Sequence, residues 1–324
     1  MGQVHTKISV LLAGPPLDGL SPTHLYLPSS DSTVYFFKYV NDDLPSFRSH
    51  PIYARIAKQE KVRLRGTGSL LERMAATLAS EFNVEVQSLS TTDLVLSALD
   101  CVMKERPEAF FTYRKVHWPL LPNGRAYKEP KLAINTQKSM YPYILANLRS
   151  GLSVYRVDSL TSARRVSGSS MGGATFASVM KLGTSYSTVC QALDGAKGGD
   201  NSEVDITVGD IYGCDSTSIG LKKDLIASSC GKMRTGAAYR DQDLARSVAM
   251  MIALNVAQIV ALTAQAEEVS TIIVAGSALE AEPLMRMLQK AMNSWTQNKV
   301  HLVFCEYGVY LASLGGVLAG LKST

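Results

Sequence analysis

Residues 7–13 (Lys-Ile-Ser-Val-Leu-Leu-Ala) alternate polar and apolar positions as a half-buried strand does, and Gly14-Pro-Pro16 ends the run as a turn. The apolar run 34–40 predicts a second strand, and a helix should open near Asp42-Asp43 and continue to Ala57. Residues 62–64 and 84–89 read as strands, with Gly66-Thr-Gly68 as a tight turn. Leu70, Leu71, Met74, Leu78 and Phe82 fall on one helical face, and 92–104 has the same period. Residues 106–141 break all periodicity and carry four prolines, so a domain boundary belongs there, dividing the chain into 1–139 and 140–324. Beyond it, strands are expected at 143–147, 154–157, 271–275 and 300–305. Helices are expected at 175–182, 189–197, 241–265, 283–295 and 310–321. Strands and helices alternate in both halves, which makes the class α/β.

Composition narrows the possibilities. The 324 residues are 46% hydrophobic and 19% charged, which excludes a disordered chain and suits two domains. The net charge, 33 − 28 = +5, is spread along the chain, so no nucleic-acid partner is expected. Five scattered cysteines without a CxxC pair indicate reduced thiols and a cytoplasmic protein. No histidine has a partner at ligand or triad spacing, and no metal site is expected. The apolar stretch 8–12 is too short for a signal peptide. Residues 247–266 lack charge over a length that could span a bilayer. Asn255, Gln258, Thr263 and Gln265 interrupt that run, and Asp243, Arg246, Glu267 and Glu268 flank it. A buried or interface helix is expected there, and no membrane partner.

Four segments hold candidate chemistry. Arg165-Val-Ser-Gly-Ser-Ser-Met-Gly-Gly-Ala-Thr-Phe176 joins a Ser/Gly loop to a helix start, where N–H groups and the helix dipole favour a phosphate. A plain tight turn accounts for it equally well. Asn147-Leu-Arg-Ser-Gly-Leu-Ser153 reads as a hairpin turn whose Ser150 and Ser153 hydroxyls suit a polar substrate, or as turn chemistry alone. Asp210 and Asp215 are read as capping groups before acid/base groups. Gly276 ends a strand where α/β proteins place ligands.

These segments, with Val204-Asp-Ile-Thr-Val-Gly-Asp-Ile-Tyr-Gly-Cys-Asp215, Ile226-Ala-Ser-Ser-Cys-Gly-Lys232 and Tyr310-Leu-Ala-Ser-Leu-Gly315, follow one another as in the eukaryotic-type (type II) pantothenate kinases, which the chain resembles. Tyr141-Pro-Tyr-Ile-Leu-Ala-Asn147, Phe37-Lys38 and Asp43-Leu-Pro-Ser-Phe47 extend the likeness to nearly the whole chain. The resemblance implies an actin-like ATPase fold (the acetate and sugar kinase/Hsp70/actin class), with two ribonuclease-H-like domains around a cleft. It also implies ATP and Mg2+ as cofactors, pantothenate as substrate, coenzyme A or acetyl-coenzyme A as ligand, and a dimer. Residue by residue it assigns Ser150, Ser153 and Arg165 to pantothenate, and Lys7, Gly168, Gly172, Gly173, Thr175 and Gly276 to the nucleotide.

The family's catalytic positions are not intact. With the family's phosphate-loop Lys set on Lys7, its Gly-Gly-Thr falls on Gly2, Gln3 and Val4, and its metal-holding Asp falls before Met1. The Thr-Gly-Gly-Gly turn is Gly66-Thr-Gly-Ser69, the catalytic Glu position is Thr91, and a glycine before Ser150 has become Arg149. A threonine hydroxyl is no base near neutral pH, and loss of general-base help costs about 10²–10⁴-fold. The expectation is a catalytically impaired subunit, homodimeric or heterodimeric with an active pantothenate kinase that it supports. The alternative is an active kinase using Asp93 or Glu85.

Overall fold

The computed structural model describes residues 5–21, 23–40, 49–57, 63–67, 80, 85–113, 131–134, 140–215, 220–236 and 238–321. It has two compact units. The smaller gathers Gln3–Phe110 and Glu306–Thr324, and the larger Phe111–Ile134 and Ser139–Cys305.

In the smaller unit, β1 (His5–Ala13) and β2 (His24–Leu27) flank β3 (Ser32–Val40) in an antiparallel sheet. Gly14 takes φ +91°, as the expected turn requires. β2 is too short for its alternation to register in the sequence, although Leu25 and Leu27 are buried. Helix α1 (Pro51–Ala57) is the described part of the helix expected from Asp42; 41–48 and nearly all of the helix at 70–82 lie outside the described residues. β4 (Arg63–Gly66) and β5 (Glu85–Ser88) form a parallel pair.

Helix α2 (Thr91–Glu105) starts at Ser90, whose hydroxyl accepts from Asp93 N–H at 3.4 Å. It buries Leu94, Val95, Leu96, Ala98, Leu99 and Val102. The last helix, Leu311–Leu321, packs on α2. A Cβ at Gly315 would come within 2.1 Å of the Leu94 carbonyl oxygen, so only glycine allows this approach. The boundary expected at 139/140 assigns that helix to the C-terminal half. In the structure its all-apolar face is buried on α2, and it belongs to the smaller unit.

The larger unit is built on a seven-stranded sheet. Its strands are β6 (Phe110–Tyr113), β7 (Lys131–Ala133), β8 (Tyr143–Leu148), β9 (Leu152–Ser159), β10 (Ser162–Ser169), β13 (Thr271–Ala275) and β14 (His301–Cys305). Two short strands, β11 (Ile206–Thr207) and β12 (Ile226–Ser228), pair separately. The order is β10-β9-β8-β13-β14-β6-β7. β8 pairs antiparallel with β9 and parallel with β13, and β13 pairs parallel with β14. Counted within the first five strands, this is order 3-2-1-4-5 with only the second strand reversed, the arrangement of a ribonuclease-H-like domain. All six positions of β8 are buried, as befits a central strand covered on both faces.

The helices are α3 (Gly173–Gly183), α4 (Val189–Gly195), α5 (Val208–Tyr212), α6 (Asp241–Ala266) and α7 (Glu282–Thr296). The long uncharged run lies in α6, where Leu244, Val248, Ile252, Val256, Val260 and Ala264 form a buried i, i+4 stripe. Helix α6 is long and apolar enough to cross a membrane, and in this unit it packs against α3, α4 and α7.

Candidate functional site

Three loops meet at the ends of β8 and β13. After Leu148 the chain reverses through Arg149-Ser150-Gly151, with Arg149 N–H donating to the Gly151 carbonyl at 2.8 Å. The start of α3 docks on this turn. Gly173 N–H donates to the Arg149 carbonyl at 2.7 Å, and Ala174 N–H to the Ser150 carbonyl at 3.1 Å. A Cβ on Gly172 would lie 2.7 Å from the Ser150 carbonyl oxygen, and one on Gly173 would lie 2.9 Å from that of Arg149. Gly276, leaving β13 at φ +116°, approaches Leu148 so closely that a Cβ would sit 2.2 Å from its carbonyl oxygen. The glycines thus allow three backbones to interlock.

This interlock uses the donors that the sequence offers to a phosphate. Met171 N–H donates to Ser169 Oγ at 3.1 Å and Gly172 N–H to Thr175 Oγ1 at 3.2 Å. With Gly173 and Ala174, four successive amides have acceptors within the chain. The Thr175 hydroxyl is itself a cap, donating to the Ser170 carbonyl at 3.4 Å.

Beside the turn, Asn147, Ser153 and Gly168 are directly paired across β8, β9 and β10, so they share one sheet face. A bulge between Arg165 and Ser167 brings Arg165 onto the face of Gly168. A Cβ on Gly168 would come within 2.7 Å of Arg165 Nη2, so the guanidinium lies over that glycine. The structure therefore gathers Ser153, Gly168 and Arg165, with Ser150 in the adjoining turn. It adds Asn147, whose signal in the sequence is one polar residue near the end of an apolar strand. The Arg149 guanidinium has no hydrogen-bond or ion-pair partner among the described residues. The protein around it pushes its pKa below the ordinary arginine value, although the residue is exposed.

The smaller unit holds the other expected positions. Lys7 on β1 is paired with Lys38 of β3. Thr91 is the first residue of α2, and its hydroxyl lies 2.6 Å from that of Thr67. Asp93 is exposed in the first turn of α2, and Glu85 is the first residue of β5. Gly66 ends β4, whereas Gly2, Gln3, Val4, Gly68 and Ser69 lie outside the described residues.

Of the two carboxylates around the turn, Asp210 caps α5, as the capping reading expects, whereas Asp215 holds a loop amide. Asp210 accepts from the Thr207 N–H at 2.7 Å, its hydroxyl at 2.9 Å and Lys232 Nζ at 2.9 Å. The Thr207 amide first, then Lys232, holds its pKa below the usual carboxylate range. Asp215 accepts from Lys223 N–H at 2.8 Å. Among the described residues no three His, Cys, Asp or Glu side chains cluster as metal ligands.

Comparison with known proteins adds the following. The family described as Fumble matches residues 28–319. Pantothenate kinase of Schizosaccharomyces pombe is 35% identical over 185 residues, covering 55% of this chain and 46% of its own length. The 4'-phosphopantetheine phosphatase of Mus musculus is 25% identical over 292 residues, covering 89% of this chain and 34% of its own. The chain thus spans about a third to a half of the length of these curated relatives. Among solved structures, glucokinase from Balamuthia mandrillaris in complex with glucose covers 97% of this chain and 93% of its own, at 12% identity and a TM-score of 0.42.

Proposed function

Because the chain belongs to the Fumble family, that of the type II pantothenate kinases, we propose that it serves coenzyme A biosynthesis as a catalytically impaired subunit that binds pantothenate and supports an active kinase. The observation that carries this reading is Thr91. The family's base position holds a hydroxyl bonded to Thr67, with no proton-accepting group of its own.

Recognition is better supported than chemistry. Arg165 offers a planar fork to the pantothenate carboxylate, while Ser150 and Ser153 offer hydroxyls to its polar groups. The bulge fixes the fork over Gly168, where no side chain competes with the ligand. At the α3 loop four successive amides and the Thr175 hydroxyl are engaged within the chain, so ATP, the nucleotide that the family implies, would be held by groups other than these. The partner in this reading is an active family member with its phosphate loop and glutamate present, joined in a dimer in the cytoplasm.

A second reading has one observation behind it. The Asp93 carboxylate is exposed two residues from Thr91 and has no partner among the described residues, so it could act as the base of an active kinase.

The test is to titrate the purified chain with pantothenate and then to assay it alone with pantothenate and Mg-ATP. Binding without turnover is the expected result. Robust turnover overturns the impaired-subunit reading, and its loss in Asp93→Ala establishes the second.

A further inference from the structure

We infer that Asn147 is a further substrate contact, its side-chain amide hydrogen bonding a hydroxyl or amide of the small hydroxy acid that Ser153 and Arg165 take. This rests on the pantothenate reading above and adds a residue to that site.

Asn147 is 8% exposed, and its Oδ1 is buried without a hydrogen-bond partner among the described residues. A buried amide oxygen left unpaired is costly, and native interiors rarely tolerate one without a reason. Its neighbours on β8, Ala146 and Leu148, are apolar and fully or almost fully buried, so an aliphatic side chain would suit the position on packing grounds. Asn147 also stands in a particular row. Ala275, Asn147, Ser153 and Gly168 are successive cross-strand partners from β13 to β10, with the Arg165 guanidinium lying over the last.

One face of the sheet therefore carries an amide, a hydroxyl and a cationic fork side by side. A carboxylate on Arg165 and a hydrogen-bond donor two or three bonds further along the same molecule match that order of groups. The small residues Ala275 and Gly168 bracket the row, so no large side chain at either end competes for it. An amide can also turn about its last torsion and present either end, so Asn147 can serve a donor or an acceptor.

The experiment measures pantothenate affinity by calorimetry and ligand-free stability by urea unfolding. It uses the full chain and the variants Asn147→Leu, Asn147→Ser and Arg165→Ala. The expected result is pantothenate binding weakened about three- to tenfold in both Asn147 variants. Ligand-free Asn147→Leu should unfold at the same or a higher urea concentration, since it removes an unpaired buried polar group. Unchanged affinity in the Leu and Ser variants, with binding abolished in Arg165→Ala, overturns the inference and leaves the pantothenate reading standing. Lower stability with unchanged affinity overturns it too, since that is the signature of a structural amide served by buried water. An unaltered chain that does not bind pantothenate overturns both.

Discussion

Thr91 and Thr67 join two elements through their hydroxyls. The two hydroxyls lie 2.6 Å apart, joining the residue after β4 to the start of α2. A glutamate would project a charge into this place, whereas threonine closes a short internal contact. A hydrogen bond between neutral, part-buried groups contributes about 0.5–1.5 kcal/mol. Thr91→Val keeps the shape and removes the hydroxyl, and should lower unfolding stability by about that amount in urea. If stability is unchanged, the contact between the hydroxyls contributes nothing to folding. Arg149 differs: its guanidinium is bound to nothing described, so its backbone makes the turn while its side chain adds charge to the loop surface.

At the scale of elements, the start of α6 is set by an ion pair within the helix's own first turn. Asp243 is 1% exposed and accepts from both Arg240 Nε and Nη2 at 2.8 Å, and from Asp200 N–H at 2.7 Å. Burial by itself would raise the Asp243 pKa, but the Arg240 fork and the Asp200 amide outweigh it and hold the pKa low. A carboxyl whose folded pKa is depressed adds stability above its unfolded value, about 3.9, and that stability is lost as pH falls through the folded value. Asp243→Asn should therefore unfold more easily than the unaltered chain at pH 7, and the difference should shrink at pH 3 and below. A constant difference across that range would mean that shape, not charge, matters there.

Elements of this size were legible in the sequence because their periodicity is long. The strand Thr271–Ala275 has the expected bounds, and Asp241–Ala266 extends its expected helix by one residue. The two- to four-residue strands β2, β11 and β12 are too short to show a period. The candidate site was legible as residue types and turns, but not as an arrangement. Arg165 meets Gly168 through a bulge, which interrupts the pattern that sequence reading depends on. Two of the engaged amides of the α3 loop, those of Gly173 and Ala174, depend on the Arg149 and Ser150 carbonyls, earlier in the chain, and no local pattern encodes that approach.

At the scale of the whole molecule, the chain's far end completes the unit with which it begins. Residues from Glu306 onward belong with Gln3–Phe110, and the helix Leu311–Leu321 packs on α2, which carries Thr91 and Asp93. The contact is made backbone to backbone at Gly315, where even a methyl group would meet the Leu94 carbonyl. Gly315→Ala must push the helices apart, and overpacking of this kind typically costs about 1–3 kcal/mol. The cost should fall on the smaller unit, and the tryptophans allow that to be seen. Trp295 lies in α7 of the larger unit, so with Trp118, which lies outside the described residues, replaced by Phe, fluorescence follows the larger unit, whereas far-ultraviolet circular dichroism follows both. In urea, Gly315→Ala should lose part of its circular dichroism signal earlier than the unaltered chain while its fluorescence midpoint stays in place. If both signals move together by the same amount, the last helix stabilises the molecule as one cooperative body, and the division into two units has no counterpart in unfolding.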